Sequence, residues 1–344
     1  MPEISNTKNA VIAGTGSYLP NAVVSNDDLA AIVDTNDEWI SSRTGIRERR
    51  IAAPSEKCSD LAEKAARAAI ENSGVKPEDI GLLIVATMTA DTRTPSTACW
   101  IQPRLGLVNA AAFDISAACS GFVYALDIAR CQIASGAVRH ALVVGAEKMS
   151  DVIDWSDRGT CVIFGDGAGA AVLSAGSENG ARGIISMATG ADGSGAQLIH
   201  MEENRDAPGA ALEFAPDGSL RAVPGRADVL KMEGNKVFVS AVRGMSDVAF
   251  KAIGLAGLTL ADIALVVPHQ ANTRIINTIF DKMNIPHEKA VVNIGRCGNT
   301  TAASIPIALD EAARAGRIKD GDHVLLMAFG AGLTWGASVI QWGR

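Results

Sequence analysis

The stretch "FDISAACSGFVYAL" (113–126) sets one thiol, Cys119, among small residues where an apolar strand-like run turns into a helical one. A cysteine that only fills space needs no such opening. A nucleophile that a substrate must reach does, and Ala117, Ala118, Ser120 and Gly121 leave that room. A helix start also offers unpaired N–H groups and partial positive charge, so the thiol pKa is expected to fall. Two further residues complete a chemistry. His269 ends the apolar run "ALVVPH", and Asn299 stands in "GNTTAAS" before another helical stretch. A thiol that forms a thioester splits acyl transfer into two steps. An imidazole and a carboxamide can donate hydrogen bonds to an oxygen gaining negative charge. Two neutral donors suit an enolate better than proton removal from water. Taken singly, each residue has a plainer reading: a small core hydrophobe, a hydrogen-bonded strand end, a cap or turn. Cys297, two residues before Asn299, is a second candidate thiol and reads more simply as a packed turn residue.

What joins the three is an internal repeat. "AAIENSGVKPEDIGLLIVA" (68–86) resembles "KAIGLAGLTLADIALVVPH" (251–269) at an offset of 183. Gly136 matches Gly316 at an offset of 180, and that offset carried back sets Cys119 on Asn299. "FGDGAGAAVL" (164–173) matches "FGAGLTWGASVI" (329–340). Each copy alternates strands with helices, the pattern of an α/β unit around a buried sheet. The halves are expected at 1–174 and 235–344. The connection between them, 175–234, should hold one or two strands and a long excursion near 196–230. Halves packed about a pseudo-twofold axis would bring Cys119, His269 and Asn299 to one cleft.

Composition limits the partners. The 344 residues are 48% hydrophobic and 4% aromatic, with a formal net charge of −7. That argues against a nucleic-acid surface, which needs clustered positive charge, and leaves open an acidic partner met by a local basic patch. The densest basic stretch, "RTGIRERR" with Arg43, Arg47, Arg49 and Arg50, reads as an ordinary solvated one. The six cysteines form no C-x-x-C pair, so free thiols in a reducing cytoplasm are expected. The start, "MPEISNTKNA", lacks a signal-peptide core, and no uncharged apolar run is long enough to cross a membrane. "GTGSYL" lacks a third glycine for dinucleotide binding, and "GDGAGA" lacks the lysine of a phosphate loop. No clustered Cys/His metal set occurs, so neither metal nor cofactor is expected.

The motifs "GTGSYLP", "DTNDEWISSRTGIRERR", "DISAACSGF", "FGDGAGAAVL", "VPHQANTRII", "GNTTAASIP" and "FGAGLTWG" occur together and in order. Over nearly its whole length the chain resembles the β-ketoacyl-acyl-carrier-protein synthase III family of thiolase-like condensing enzymes. The resemblance implies a five-layered α-β-α-β-α fold and a homodimer. It implies that Cys119 takes an acyl group from acyl-CoA, a substrate rather than a cofactor. His269 and Asn299 would then assist decarboxylation of malonyl-acyl-carrier protein. The backbone N–H groups of Cys119 and Ala331 would hold the oxyanion; Ala331 stands where glycine is usual and serves if its φ is negative. Coenzyme A contacts fall on Trp39, Arg43, Arg158, Gly159, Phe238 and Asn272, and carrier-protein docking on Arg274, with Asp281 weakening that patch. Thr94 occupies a position that helps close the acyl pocket across the dimer, with Trp100 nearby. A primer longer than acetyl is therefore expected. A ketide or quinolone-type synthase, or a non-condensing acyltransferase on the same fold, remains an alternative.

Overall fold

The computed structural model describes residues 9–176, 182–203, 209–226 and 228–343. The polar N-terminal segment 1–8 and parts of the 196–230 excursion lie outside them. The first sheet comprises β1 (Ala10–Tyr18), β4 (Leu82–Ala86), β5 (Ala111–Ile115), β6 (His140–Glu147) and β7 (Gly167–Ala175), in the order β1-β7-β6-β4-β5. β5, β4 and β6 run parallel, and β7 and β1 are antiparallel to their neighbours. The second sheet has the order β13-β14-β15-β8, from β8 (Gly183–Ala191), β13 (Ile263–Pro268), β14 (His323–Gly330) and β15 (Thr334–Gln341). Here β13 pairs parallel with β14, while β15 runs antiparallel to β14 and β8.

Strand sequences such as "LLIVA" of β4 are buried at every position because helices cover both faces. Between the sheets lie α5 (Gly121–Ala134) and α9 (Ser304–Arg314). Phe122, Leu126, Ile305 and Leu309 pack there against Ile84, Val143, Val267 and Leu326. Outside the first sheet lie α3 (Cys58–Ser73) and α4 (Thr97–Arg104), and Leu61 and Ala65 of α3 meet Leu83 and Val144. Outside the second lie α6 (Gly234–Leu255) and α7 (Thr273–Met283), where Met245, Ile276 and Phe280 meet Val266 and Leu325. These are the five layers, α-β-α-β-α. Gly74 ends α3 at a left-handed φ of 69°, a conformation glycine takes without Cβ strain.

A cap sits beside the layers. It contains β2 (Ala22–Ser25), β3 (Glu48–Ile51), α1 (Asn26–Ala30), α2 (Asp37–Thr44) and the short α8 (Ile294–Cys297). Two ribbons join it: β9 (Ile199–Glu203) with β12 (Asp228–Met232), and β10 (Gly209–Phe214) with β11 (Leu220–Arg226). Ile40, Ile46, Trp155, Phe164 and Leu230 form its core. Arg49 corrects the reading of its basic stretch as solvated. Its side chain is fully buried and donates to the Val24 and Val162 carbonyls and to Asn26 Oδ1, tying cap to body.

Two details of the repeat also change. β8 pairs with β15 as β1 pairs with β7, so the second sheet already recruits residues 183–191 from the stretch read as connection. Among its described residues that stretch carries five strands, β8 to β12, rather than one or two. Their turn-rich composition hides short strands that gain order by pairing and by packing on the cap.

Candidate active site

Cys119 lies in a single 3-10 turn, Ala118–Ser120, that leads into α5. Ala118 has φ +45°, unusual for a residue with a Cβ, and this turns the thiol out of the helix axis. The backbone of β14 presses against the turn: a Cβ on Gly330 would meet the Cys119 nitrogen at 2.8 Å. Thr334 Oγ1 donates to the Ala117 carbonyl at 3.1 Å and fixes the approach. The thiol pKa does not fall as the helix start suggested. Burial pushes it up to about 12, and the negative charge of Glu147 adds to this. A hydrogen bond from the backbone acts in the other direction and is the weaker influence.

The second half repeats this turn at Thr301–Ala303, before α9, with Thr301 at φ +47°. The counterpart of Ala118 is thus Thr301, and that of Cys119 is Ala302. Asn299 lies three residues earlier, which corrects the equivalence of Cys119 with Asn299. α9 has 11 residues against 14 in α5, so the glycine that follows comes three residues early and gave the misleading offset. Asn299 nevertheless reaches the site. Its N–H donates to the Ile163 carbonyl at 2.9 Å, and its carbonyl accepts from Gly165 N at 3.1 Å. The Thr301 N–H donates to Asn299 Oδ1 at 2.8 Å, so the carboxamide oxygen is engaged and Nδ2 remains as donor.

His269 follows β13, and its N–H donates to the Met327 carbonyl at 2.8 Å. Its Nδ1 lies 2.6 Å from Ser304 Oγ, which also accepts from Gln270 N at 3.4 Å. The Ser304 hydroxyl can donate this hydrogen bond to Nδ1, the arrangement that goes with an imidazole protonated on Nε2. Burial lowers the His269 pKa to about 3. The ring is therefore neutral at physiological pH, a hydrogen-bond donor rather than an acid.

Cys119, His269 and Asn299 line one cavity of about 590 Å³. Trp39, Arg43, Gly159, Phe238, Asn272 and Arg274 line it as well. The guanidinium carbons of Arg43 and Arg158 each sit 4.7 Å from the Trp39 ring centroid, and that of Arg274 sits 5.8 Å from Phe238. Asn272 caps α7 by accepting from Arg274 N. Gly45, at φ 78°, ends α2 so close to α7 that a Cβ would meet Thr273 Oγ1, which fixes Trp39 and Arg43 against Asn272. Ala331 also lines the cavity, and its φ is not positive. Asp281 is turned toward His287 at 2.8 Å.

Thr94 is exposed and does not line this cavity; Trp100, also exposed, donates to Thr92 Oγ1. Sequence reasoning missed Ser304, whose signal was its place in "GNTTAASIP". It also missed Glu147, which ends β6 without any motif.

The chain is similar to known proteins over nearly its whole length. Residues 113–193 match the family model "3-Oxoacyl-[acyl-carrier-protein (ACP)] synthase III", and residues 253–342 match its C-terminal companion. The chain is 49% identical to the β-ketoacyl-[acyl-carrier-protein] synthase III of Caldanaerobacter subterraneus subsp. tengcongensis, over 97% of this chain and 98% of that one. It is 47% identical to that of Oceanobacillus iheyensis, over 98% and 100%. Among solved structures, the Aquifex aeolicus 3-oxoacyl-[acyl-carrier-protein] synthase III superposes with a TM-score of 0.87 at 46% identity, covering 97% of this chain and all of that one. The priming β-ketosynthase of the R1128 polyketide biosynthetic pathway gives 0.88 at 38% identity, covering 98% of each.

Proposed function

The chain belongs to the 3-oxoacyl-[acyl-carrier-protein] synthase III family of condensing acyltransferases, and from that premise we propose that Cys119, His269 and Asn299 are its catalytic residues. The observation that carries this is their convergence, from three separate elements, on one cavity, with His269 held neutral.

The acyl-CoA adenine is sandwiched between the Trp39 indole and an arginine guanidinium, from Arg43 or Arg158, which moves off the ring to admit it. Its pantetheine arm passes Gly159, Phe238 and Asn272 to Cys119. The primer carbonyl enters the backbone N–H groups of Cys119 and Ala331. The Cys119 sulfur bonds to the carbonyl carbon, the carbon–sulfur bond to coenzyme A breaks, and the Cys119 proton leaves on the coenzyme A thiol. A thiol with its pKa near 12 makes that proton's departure part of the acylation step rather than a standing thiolate.

Malonyl-acyl-carrier protein then docks at Arg274. Its thioester oxygen accepts from His269 Nε2 and Asn299 Nδ2. The bond to the carboxylate breaks, carbon dioxide leaves, and the two neutral donors hold the enolate. The enolate carbon attacks the acyl-Cys119 carbonyl. The resulting oxyanion is held by the two N–H groups, and its collapse breaks the carbon–sulfur bond, releasing the β-ketoacyl product and the Cys119 thiolate, which takes a proton from water. The product starts fatty-acid synthesis in the cytoplasm.

The first sheet suits a homodimer. It ends on β5, whose outer edge no strand among the described residues covers. Phe113 on β5 is 38% exposed, Trp100 40% and Val108 72%. An apolar sheet edge of this kind is a template for pairing with another chain. Pairing of two β5 strands would bring Thr94 and Trp100 toward the partner's cavity, where they bear on the length of primer accepted.

The test is product formation from hexanoyl-CoA and malonyl-acyl-carrier protein. Wild type should release carbon dioxide and form the β-ketoacyl carrier protein. His269→Ala and Asn299→Ala should each lose about 10²–10³ in decarboxylation rate. Full decarboxylation in both variants would sink the assignment. Likeness to the polyketide priming ketosynthase favours a second reading, a specialised ketide synthase. Preference for free malonyl-CoA over malonyl-acyl-carrier protein as extender would select it.

A further inference from the structure

β6 meets the second-half turn at very close range. A Cβ on Gly145 would lie 2.3 Å from the Ala302 carbonyl oxygen, so only glycine admits this approach. Residue 147 lies on the same face of the strand as residue 145. By strand pairing β6 corresponds to β14, and Glu147 corresponds to Gly330. The two halves therefore treat equivalent turns differently. Gly330 bares the Cys119 turn to substrate; Glu147 plants a buried carboxylate beside the turn that follows Asn299.

Four groups hold that carboxylate. It accepts from Thr89 Oγ1 at 2.5 Å, from Thr87 Oγ1 at 3.3 Å and from Met88 N at 3.2 Å, and the Thr301 hydroxyl, which also reaches Met149 Sδ at 3.9 Å, helps hold its charge. Thr301 is also the residue whose N–H holds Asn299 Oδ1, and it does so from a φ that β-branched residues avoid. We propose that Glu147 is a positioning residue for the condensation step: by clamping Thr301 to the end of β4, it holds the Asn299 carboxamide with Nδ2 toward the enolate oxygen. The carboxylate works against the nucleophile, since its charge raises the Cys119 pKa. Its presence therefore serves the second half of the reaction rather than the first.

The inference rests on the catalytic assignment of Asn299, and the experiment separates the two. Two rates are measured on the intact protein: Cys119 acylation by hexanoyl-CoA, and carbon dioxide release from malonyl-acyl-carrier protein. Asn299→Ala must first lower the second rate; if it does not, the catalytic reading fails. With that established, Glu147→Ala should lower decarboxylation at least tenfold more than acylation, through kcat with KM for the malonyl substrate held within about threefold. Glu147→Gln retains an acceptor for Met88 N–H and a partner for Thr301, so it should restore most of the loss. Thr301→Val, which removes only the hydroxyl, should show the same selective loss and add nothing to Glu147→Ala. Equal falls in both rates, or a Glu147→Ala enzyme with wild-type decarboxylation, would overturn the proposal. Should Glu147→Ala fail to fold, the Thr301→Val and Glu147→Gln pair decides alone: a wild-type ratio of rates in Thr301→Val overturns it.

Discussion

Three groups at the site titrate away from ordinary values, and two of them, Glu147 and Cys119, lead to direct tests. Glu147 is pushed up to about 7 by burial, against a usual carboxylate near 4.5. The folded protein thus binds a proton here that the unfolded chain releases, and stability falls as pH rises from about 4.5 through 7. Glu147→Gln removes that loss. Its melting temperature should gain on wild type at pH 8.5 and much less at pH 5, as differential scanning fluorimetry would read. The same substitution removes negative charge near Cys119, so the pH midpoint for alkylation of that thiol should move down; an unchanged or higher midpoint would refute the coupling. The burial that sets these values could not be read from sequence. "DISAACSGF" exposes the proposed nucleophile as a type of residue in a type of setting. It does not reveal that the second half sends Gly330 against it or that β6 ends on a buried carboxylate.

The elements carry the precision. Two turns with positive φ, at Ala118 and Thr301, face one another across the central layer, and each is pressed by a strand of the opposite half. Gly145→Ala should cost about 1–3 kcal/mol through overpacking against the Ala302 carbonyl. Because the displaced turn holds Asn299, decarboxylation should fall more than acylation. Denaturant unfolding and the two half-reaction rates check both points. At this scale the strand-helix alternation was legible, since buried strands and helices differ in hydrophobic period. The register of the repeat was not. A glycine match after α9 misled by three residues because that helix is shorter by that number, and only strand pairing fixes the true correspondence. The short strands β8 to β12 were hidden for another reason: their order comes from partners distant in sequence.

For the whole molecule, five layers hold the chemistry at the centre, and a cap bolted on by Arg49 adds the Trp39 side of the cavity. The β5 edge, which no strand among the described residues covers, supports the proposed dimer. Phe113→Asp should shift the protein from dimer to monomer in light scattering, while a wild-type monomer at micromolar concentration would remove the argument. The layer order was legible only through the resemblance carried by seven motifs; composition and periodicity reach as far as two α/β halves. The central claim is that Cys119 carries the acyl group that is then condensed. The most direct measurement is the intact mass of the protein after incubation with acetyl-, hexanoyl- and decanoyl-CoA, with Cys119→Ser alongside, followed by addition of malonyl-acyl-carrier protein. The account predicts one acyl adduct on wild type, none on Cys119→Ser, loss of the adduct on adding the malonyl substrate, and a mass favouring a chain longer than acetyl. An equal adduct on Cys119→Ser, or no adduct from any acyl-CoA, would contradict it.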